Sequence, residues 1–444
     1  MPDLVIKNAR LFINDALQPF EIAVDNGKIS KIGKIIGTEE VDMVIDAKGA
    51  LVLPGAIDVH VHFRDPGMTK KEDWYTGSCA AAAGGVTTVI DHPNTIPPTI
   101  DPESFKKKKK EAKKAIIDHG INAGVTGNLK NLKGLWELGA IAFGEIFMAE
   151  STGALNISDS TLKDALGIIG ELNAVACIHA EDEETRKKFV HILKGNLAPE
   201  SYSKSRPTLS EKIAVEKAIK LAGDSKLHFC HISAAESLET IRIAKSENKN
   251  VTCEVAPHHL FLSKKDWKRL GTLGKMNPPL RDFHDQQSLW KGLNDCTVDI
   301  VASDHAPHLE PEKMTDIWSA PAGVPGVETM MPLMLMAVKR NLIILKRALE
   351  VLCTNPAKIF GLQKGVIAPG YDADLIIAGE PQEIRKEKLH SKAGWTPYNR
   401  MEGIFPKMTL SRGQIVFEDG DICAKRGRGR FIPGKGIIIK GMED

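Results

Sequence analysis

Five side chains able to bind a metal stand at the ends of apolar runs. Two belong to Asp58-Val59-His60-Val61-His62, which closes a run beginning at Leu51. In an extended strand residues two apart face the same side, so both imidazoles point one way and can chelate one ion. Three further runs end alike: 174–178 at His179, 227–230 at His231, and 300–303 at Asp304. A lone histidine closing an apolar run is more often an ordinary packed residue. Five candidates from four strands sharing one position point instead to a common pocket. Imidazole and carboxylate ligands suit zinc, with manganese, cobalt and iron as alternatives. A bound cation lowers the pKa of its water to about 7, and an acid at the pocket edge, Asp304, can carry the proton. The chemistry expected is hydrolysis without a covalent intermediate.

Such convergence requires strands lying parallel and side by side. Apolar runs at 56–60, 86–90, 121–125, 174–178, 227–230, 251–255 and 299–302 alternate with longer amphipathic stretches such as 70–84, 210–222 and 234–245. Alternation of this kind, about eight units over roughly 300 residues, predicts an α/β fold, a (β/α)8 barrel spanning 56–364. Short alternating runs at 4–6, 12–13, 22–24, 28–32 and 44–45, with an Asn26-Gly27 turn signal, return at 375–377 and 408–416. They predict a small β-domain assembled from both terminal segments, 1–55 and 365–444.

The 59 basic and 57 acidic residues nearly cancel, giving +2. This balance argues against a dedicated nucleic-acid binder and for a small-molecule substrate. Seven cysteines, odd in number and without CxxC spacing, fit reduced thiols in the cytoplasm. With no signal-like N-terminus and no apolar run of about 18 residues, a soluble protein away from membranes is expected. The lysines of 106–110 are expected on the solvated face of a helix, and the basic stretch 425–430 as a solvated tail.

Longer strings extend the pattern: DVHVHFRDPG (58–67), GGVTTVIDHPNT (84–95), His179-Ala180-Glu181, CEVAPHHL (253–260), MNPPLR (276–281), SDHAPH (303–308), NPAKIFGL (355–362) and APGYDADL (368–375). In these, essentially over its whole length, the chain resembles the amidohydrolase superfamily, and within it the dihydroorotases. The resemblance implies a barrel with a small β-sandwich and a zinc centre of two ions, one ion being the alternative. It also implies the reversible cyclisation of N-carbamoyl-L-aspartate to L-dihydroorotate in pyrimidine (UMP) biosynthesis, by a metal-bound hydroxide. By position, His60 and His62 hold one metal and His179 and His231 the other. Asp304 ligates the first and serves as general base and acid. Many relatives bridge the metals with a modified lysine in Phe-Lys-Ile-Phe-Met. This chain reads Phe143-Gly144-Glu145-Ile146-Phe147-Met148. Counting forward puts Gly144 at that position and counting back puts Glu145 there. Only Glu145 can ligate, so it is expected to bridge.

A ring carboxylate distinguishes dihydroorotate from allantoin, hydantoins and dihydropyrimidines, and a fixed guanidinium is its natural partner. Arg64, two residues beyond His62 and on the same face of an extended segment, is that candidate. The resemblance adds Asn94 and His308 as further carboxylate contacts, with His92 replacing a commoner methionine. It also places Asn277 and the backbone of Ala322 and Gly323 against the ring, and lists His62 among the substrate contacts. Segment 309–326, rich in Pro and Gly, is a candidate mobile cover. The competing readings are an allantoinase or a hydantoinase/dihydropyrimidinase, and an inactive scaffold subunit that would be expected to lose metal ligands. Family members occur alone, as homo-oligomers, or with aspartate transcarbamoylase.

Overall fold

The structure, a computed structural model, describes residues 2–152 and 154–436. Alternating apolar residues near the N-terminus form strands β1 (Leu4–Ile13), β2 (Ala16–Asp25), β3 (Lys28–Gly33), β4 (Met43–Asp46) and β5 (Leu51–Pro54). The β2–β3 hairpin turns on Asn26 and Gly27 at φ 50° and 76°, the left-handed conformation that an Asn-Gly turn supplies at low strain. Only Gly55 separates β5 from the first barrel strand.

Eight parallel strands follow: β6 (Ala56–Val61), β7 (Val86–Asp91), β8 (Asp118–Ile121), β9 (Phe143–Phe147), β10 (Val175–His179), β11 (Lys226–Phe229), β12 (Val251–Val255) and β13 (Ile300–Val301). They pair in two arcs, β6-β7-β8 and β9 to β13. Parallel bridges Ala123–Phe143 and Val61–His305 close the arcs into a barrel. Nearly every barrel-strand residue is buried, as expected where helices cover the outer face and side chains fill the interior. The helix Trp74–Ala83 shows how local sequence sets these walls. Asp73 caps it, accepting from the Tyr75 and Thr76 amides at 2.8 and 2.9 Å, and its alanines allow close approach to the barrel.

The chain returns in β14 (Leu375–Glu383), β15 (Glu402–Ser411), β16 (Gln414–Glu418) and β17 (Asp421–Ile422). Among the described residues these join the first five strands in one nine-stranded sheet, ordered β17-β16-β15-β14-β5-β1-β2-β3 with β4 also on β1. Its apolar residues, among them Leu4, Ile6, Ile22, Val52 and Leu375, enclose a core separate from that of the barrel. The fold is the expected (β/α)8 barrel with a β-sandwich built from both terminal segments.

Several expectations are corrected. The strand expected at 121–125 lies at Asp118–Ile121, because polar Asp118 and His119 have partners that the apolar pattern does not reveal. The lysine run falls on the helix Pro102–Ala112, yet Lys108 is fully buried. It shares the inward stripe with Phe105 and Ala112, and its ammonium pairs with Asp91 and donates to the His92 carbonyl. The basic stretch is not a free tail: its backbone is docked on the barrel, Gly429 N donating to the Ala115 carbonyl at 2.8 Å, while the side chains of Lys425, Arg426 and Arg430 stay exposed as expected. The Arg430 backbone is bonded to the β8 region, its amide donating to the Asp118 carboxylate at 2.9 Å and its carbonyl accepting from the His119 amide at 2.9 Å, while Arg428 binds Ser411 and Gln414. Within 365–444, residues 384–398 also pack on the barrel, where Ile384, Trp395 and Tyr398 share a core with Trp267 and Met276.

Candidate metal centre

At the C-terminal end of β6, His60 and the following His62 point into the barrel mouth. Their Nε2 atoms lie 3.5 and 3.7 Å from Glu145 Oε2, and 3.6 and 3.3 Å from Asp304 Oδ1. On the opposite side, His179 Nδ1 and His231 Nε2 approach the other carboxylate oxygen of Glu145, Oε1, at 3.0 and 2.9 Å. Two metal-capable groups result, His60/His62/Glu145 and Glu145/His179/His231, and Glu145 belongs to both. One oxygen faces each pair of imidazoles, the disposition a bridging carboxylate requires.

Gly144, the residue that the forward count placed here, has φ 151° and no room for a side chain, since a Cβ would run into the Cys177 carbonyl oxygen. Glu145 is therefore the residue that β9 presents to the site. Three non-glycine residues at the site also adopt positive φ: Arg64 (61°), His231 (33°) and Asp304 (46°). Backbone strain of this kind concentrates at functional sites.

The donor set fits a cation. His60 Nε2 is buried with no hydrogen-bond partner among the described residues, although it faces two carboxylates. Burial favours the neutral form of each group, yet opposite charges outweigh it at several positions. Glu254 and then Glu145 raise His60 well above its usual range, and Glu145 and Glu181 raise His179 to about 9. His60, with bonds from His179 and His231, holds Glu145 well below the carboxylate range, while His62 and His60 keep Asp304 ionised. Protons held by such an acid-rich cluster are those a metal displaces when it binds.

A second ring of buried groups aims the ligands. His60 Nδ1 donates to Glu254 Oε1 at 2.5 Å, and Glu254 Oε2 accepts from His228 Nε2 at 3.1 Å. His179 Nε2 donates to Glu181 Oε2 at 2.9 Å, and Arg206 pairs with that carboxylate and holds it down to about 2 against the effect of burial. Carboxylate–histidine pairs of this type fix the ring and make the other nitrogen a better ligand. His258 lies 3.9 Å from Asp304 Oδ2, with both ring nitrogens unpartnered and burial holding it neutral, down to about 3. Sequence reasoning missed Glu254, Glu181, Arg206 and His258 as contributors, although CEVAPHHL and His179-Ala180-Glu181 contain three of them.

The substrate candidates are placed differently from expectation. Arg64 is not extended, but its turned backbone still brings the guanidinium to the site wall, with Nη2 3.3 Å from His308 Nε2 and Nε donating to the Pro307 carbonyl at 3.3 Å. It is 4 % exposed and has no carboxylate partner among the described residues. Burial lowers it to about 10, which leaves it charged at neutral pH. His308 also donates to the Ala322 carbonyl at 3.1 Å and accepts from Lys71 at 3.0 Å. Asn94 Oδ1 accepts from His62 Nδ1 at 2.6 Å, so Asn94 orients a candidate metal ligand. Asn277 is held by Tyr202 at 2.6 Å and Ser151 at 3.0 Å. Gly323 uses both backbone groups within the protein, its amide donating to Lys275 O and its carbonyl accepting from Lys313. That engagement removes its amide as a free contact for a ring. The expected cover, 309–326, is tied down in this structure by buried Lys313 and Ile317. A cavity of about 1060 Å³ lies away from this site, on the sandwich beside β4 and β14–β15.

A barrel carrying histidines and carboxylates at its C-terminal face, beside a sandwich built from both chain ends, defines a class of metal-dependent hydrolases. Residues 51–422 match the amidohydrolase family, and the chain belongs to that family. It is 56 % identical over 450 residues to a dihydroorotase of Methanosarcina acetivorans, covering 98 % of this chain and 96 % of that one. A dihydroorotase of Halobacterium salinarum is 40 % identical over 415 residues, covering 92 % and 96 %. Among solved structures, the L-hydantoinase (dihydropyrimidinase) of Arthrobacter aurescens superposes with a TM-score of 0.94 at 32 % identity, covering 98 % of this chain and 100 % of that chain. No described helix is long and apolar enough to cross a membrane.

Proposed function

We propose that this chain is a dihydroorotase, interconverting L-dihydroorotate and N-carbamoyl-L-aspartate at a centre of two zinc ions bridged by Glu145. The observation that carries the substrate assignment is Arg64, a buried guanidinium beside the metal-capable groups with no carboxylate partner among the described residues. Leaving such a charge unpaired is costly, and a ring carboxylate supplies the missing partner. The 56 % identity to an archaeal dihydroorotase supports the same reading.

His60 and His62 would hold one ion and His179 and His231 the other, with Glu145 across both and Asp304 on the first. Bound there, the metals would supply a water acidified into the neutral range and a Lewis acid for the ring carbonyl. Asp304 turns Oδ1 toward His60 and His62, which leaves Oδ2 to take the proton of the attacking water. It returns that proton to the ring nitrogen as the carbonyl–nitrogen bond breaks. The water oxygen ends in the new carboxylate and the nitrogen in the ureido group; cyclisation runs the same transfers backwards. Arg64 orients the ring by its carboxylate, His308 stands beside the guanidinium with both ring nitrogens already bonded, and Asn94 keeps the His62 ring aimed.

The backbone likeness to an L-hydantoinase favours a second reading, hydrolysis of an uncharged ring. Arg64 weighs against it, and the complete set of metal-capable residues weighs against an inactive scaffold. Initial rates with dihydroorotate, carbamoyl-aspartate, allantoin and hydantoin, alongside metal analysis, test the proposal. Turnover of the first two well above the others is expected. Preference for an uncharged ring would overturn it.

A further inference from the structure

Segment 309–326 carries a feature that the metal chemistry does not use. Lys313, in a single helical turn (Glu310–Lys313), is 0 % exposed and has no carboxylate within ion-pair distance among the described residues. Its Nζ donates to the Lys275 carbonyl and the Gly323 carbonyl, both at 2.7 Å, and lies 5.6 Å from the centre of the Trp395 ring. Burying an amine costs several kcal/mol unless its hydrogens find acceptors, and here two backbone carbonyls from separate segments accept them. The Gly323 amide donates to the same Lys275 carbonyl at 3.0 Å, so three bonds knit 313, 323 and 275 together. Gly323 itself, at φ 134°, has no space for a Cβ against the Ala306 carbonyl.

What this knot joins is specific. Lys275 stands two residues before Asn277, and Gly323 follows Ala322, whose carbonyl accepts from His308, the neighbour of Arg64. Trp395 adds a fourth strand to the knot by donating from Nε1 to the His308 carbonyl at 2.8 Å. The two sides of the substrate pocket, Arg64/His308 and Asn277, are thereby fixed relative to each other through Lys313.

We infer that Lys313 is a positioning residue that sets the affinity of the pocket for a cyclic carboxylate substrate by locking 309–326 onto 275–277. It touches neither the metals nor the reacting atoms, so its removal should loosen ring binding and leave the chemical step largely intact. The inference rests on the dihydroorotase reading. Wild-type turnover of dihydroorotate tests that reading first and separately.

The experiment compares Lys313→Met, which keeps length and removes the donors, with Lys313→Gln, which restores N–H donors on a shorter arm. Steady-state kinetics with dihydroorotate are read together with metal content and Tm. The expected result for Lys313→Met is a KM raised about tenfold or more, kcat within about threefold, and unchanged metal content, with Lys313→Gln recovering part of the loss. A KM equal to wild type in a folded, metal-loaded Lys313→Met protein would overturn the inference, as would loss confined to kcat. Should Lys313→Met not fold, the same split is read on Lys313→Gln against wild type, where the shorter arm should still raise KM; an unchanged KM there overturns it equally.

Discussion

At the N-terminal ends of the barrel strands, Lys364 sits among Asp118, Asp372 and Asp374 at 2.9, 2.8 and 2.6 Å, and Arg412 donates to Asp118 at 3.1 Å. At the C-terminal ends, among the described residues, Arg64 and Lys313 have no carboxylate partner, and His60, His231 and His258 keep unpartnered nitrogens. Both clusters are buried and rich in ionisable groups, and the three aspartates are close enough together to hold a cation. The Lys364 ammonium already fills that place. The lower cluster is complete in itself, as suits a face of the barrel that contributes stability, whereas the upper one retains capacity that only a metal and an anion can satisfy. Perturbed ionisable groups alone do not identify a site; leftover bonding capacity does.

Substitutions at the two ends should therefore behave differently. The largest effect is expected for Asp304→Asn, which should lower kcat for dihydroorotate by about 10²–10⁴-fold, since a positioned acid–base contributes about that much. A loss below tenfold in a metal-loaded variant would remove Asp304 from the proton-transfer role. Next comes Arg64→Ala. A charge-assisted bond contributes about 1.5–3 kcal/mol, so KM for dihydroorotate should rise roughly 10–100-fold while hydrolysis of an uncharged hydantoin changes little. Equal losses on both substrates would break the claim that the upper end awaits an anion.

A smaller effect belongs to Glu254→Gln. The carboxylate behind His60 should contribute about 10–100-fold to metal affinity, measured as zinc retention against a competing chelator. Unchanged retention would mean that the 2.5 Å bond does not tune the ligand. Glu181 behind His179 differs in its partner, an arginine rather than a histidine.

The smallest effect on turnover is expected at the lower end. Lys364→Met should leave kcat/KM per folded chain unchanged but cost about 3–5 kcal/mol of stability, because it strands buried aspartates without their cation. Burial works against Asp118 and Asp372, yet Lys364 holds both below their ordinary 3.8, so their contribution is present above about pH 4 and lost as pH falls through the folded values. Lys364 is raised above its ordinary 10.5 by Asp374 and Asp118 despite burial, so its contribution is present below that value and lost only as pH rises through the higher folded one. Asp374 is raised by burial and opposes the other two aspartates. The stability gap between wild type and variant, followed by denaturant melts, should be flat around neutrality and narrow below about pH 4. A gap that widens in acid would contradict this assignment.

The upper end was the more legible in sequence. His60-x-His62 and three strand-ending residues marked it, because metal ligands must sit at strand termini and strand termini follow apolar runs. The Phe143–Met148 string left two counts open, and a missing Cβ decided between them, a steric fact no linear motif carries. Glu254 and Glu181 were read only as letters inside motifs, since their role arises from what lies behind a histidine in space. Lys108 and Arg428 were read as solvated for the same reason: a basic run shows its charge, while its acceptors, Asp91 and His92 for Lys108 and Ser411 and Gln414 for Arg428, stand elsewhere in the chain. Arg64 was expected at the site through an extended segment and reaches it through a turn.

The central claim is that Glu145 joins two metal sites without a modified lysine. Metal analysis of wild type and Glu145→Ala, after dialysis and zinc loading, tests it most directly. Two zinc ions per wild-type chain and no more than one in the variant is the predicted result. A single ion in both proteins would contradict it.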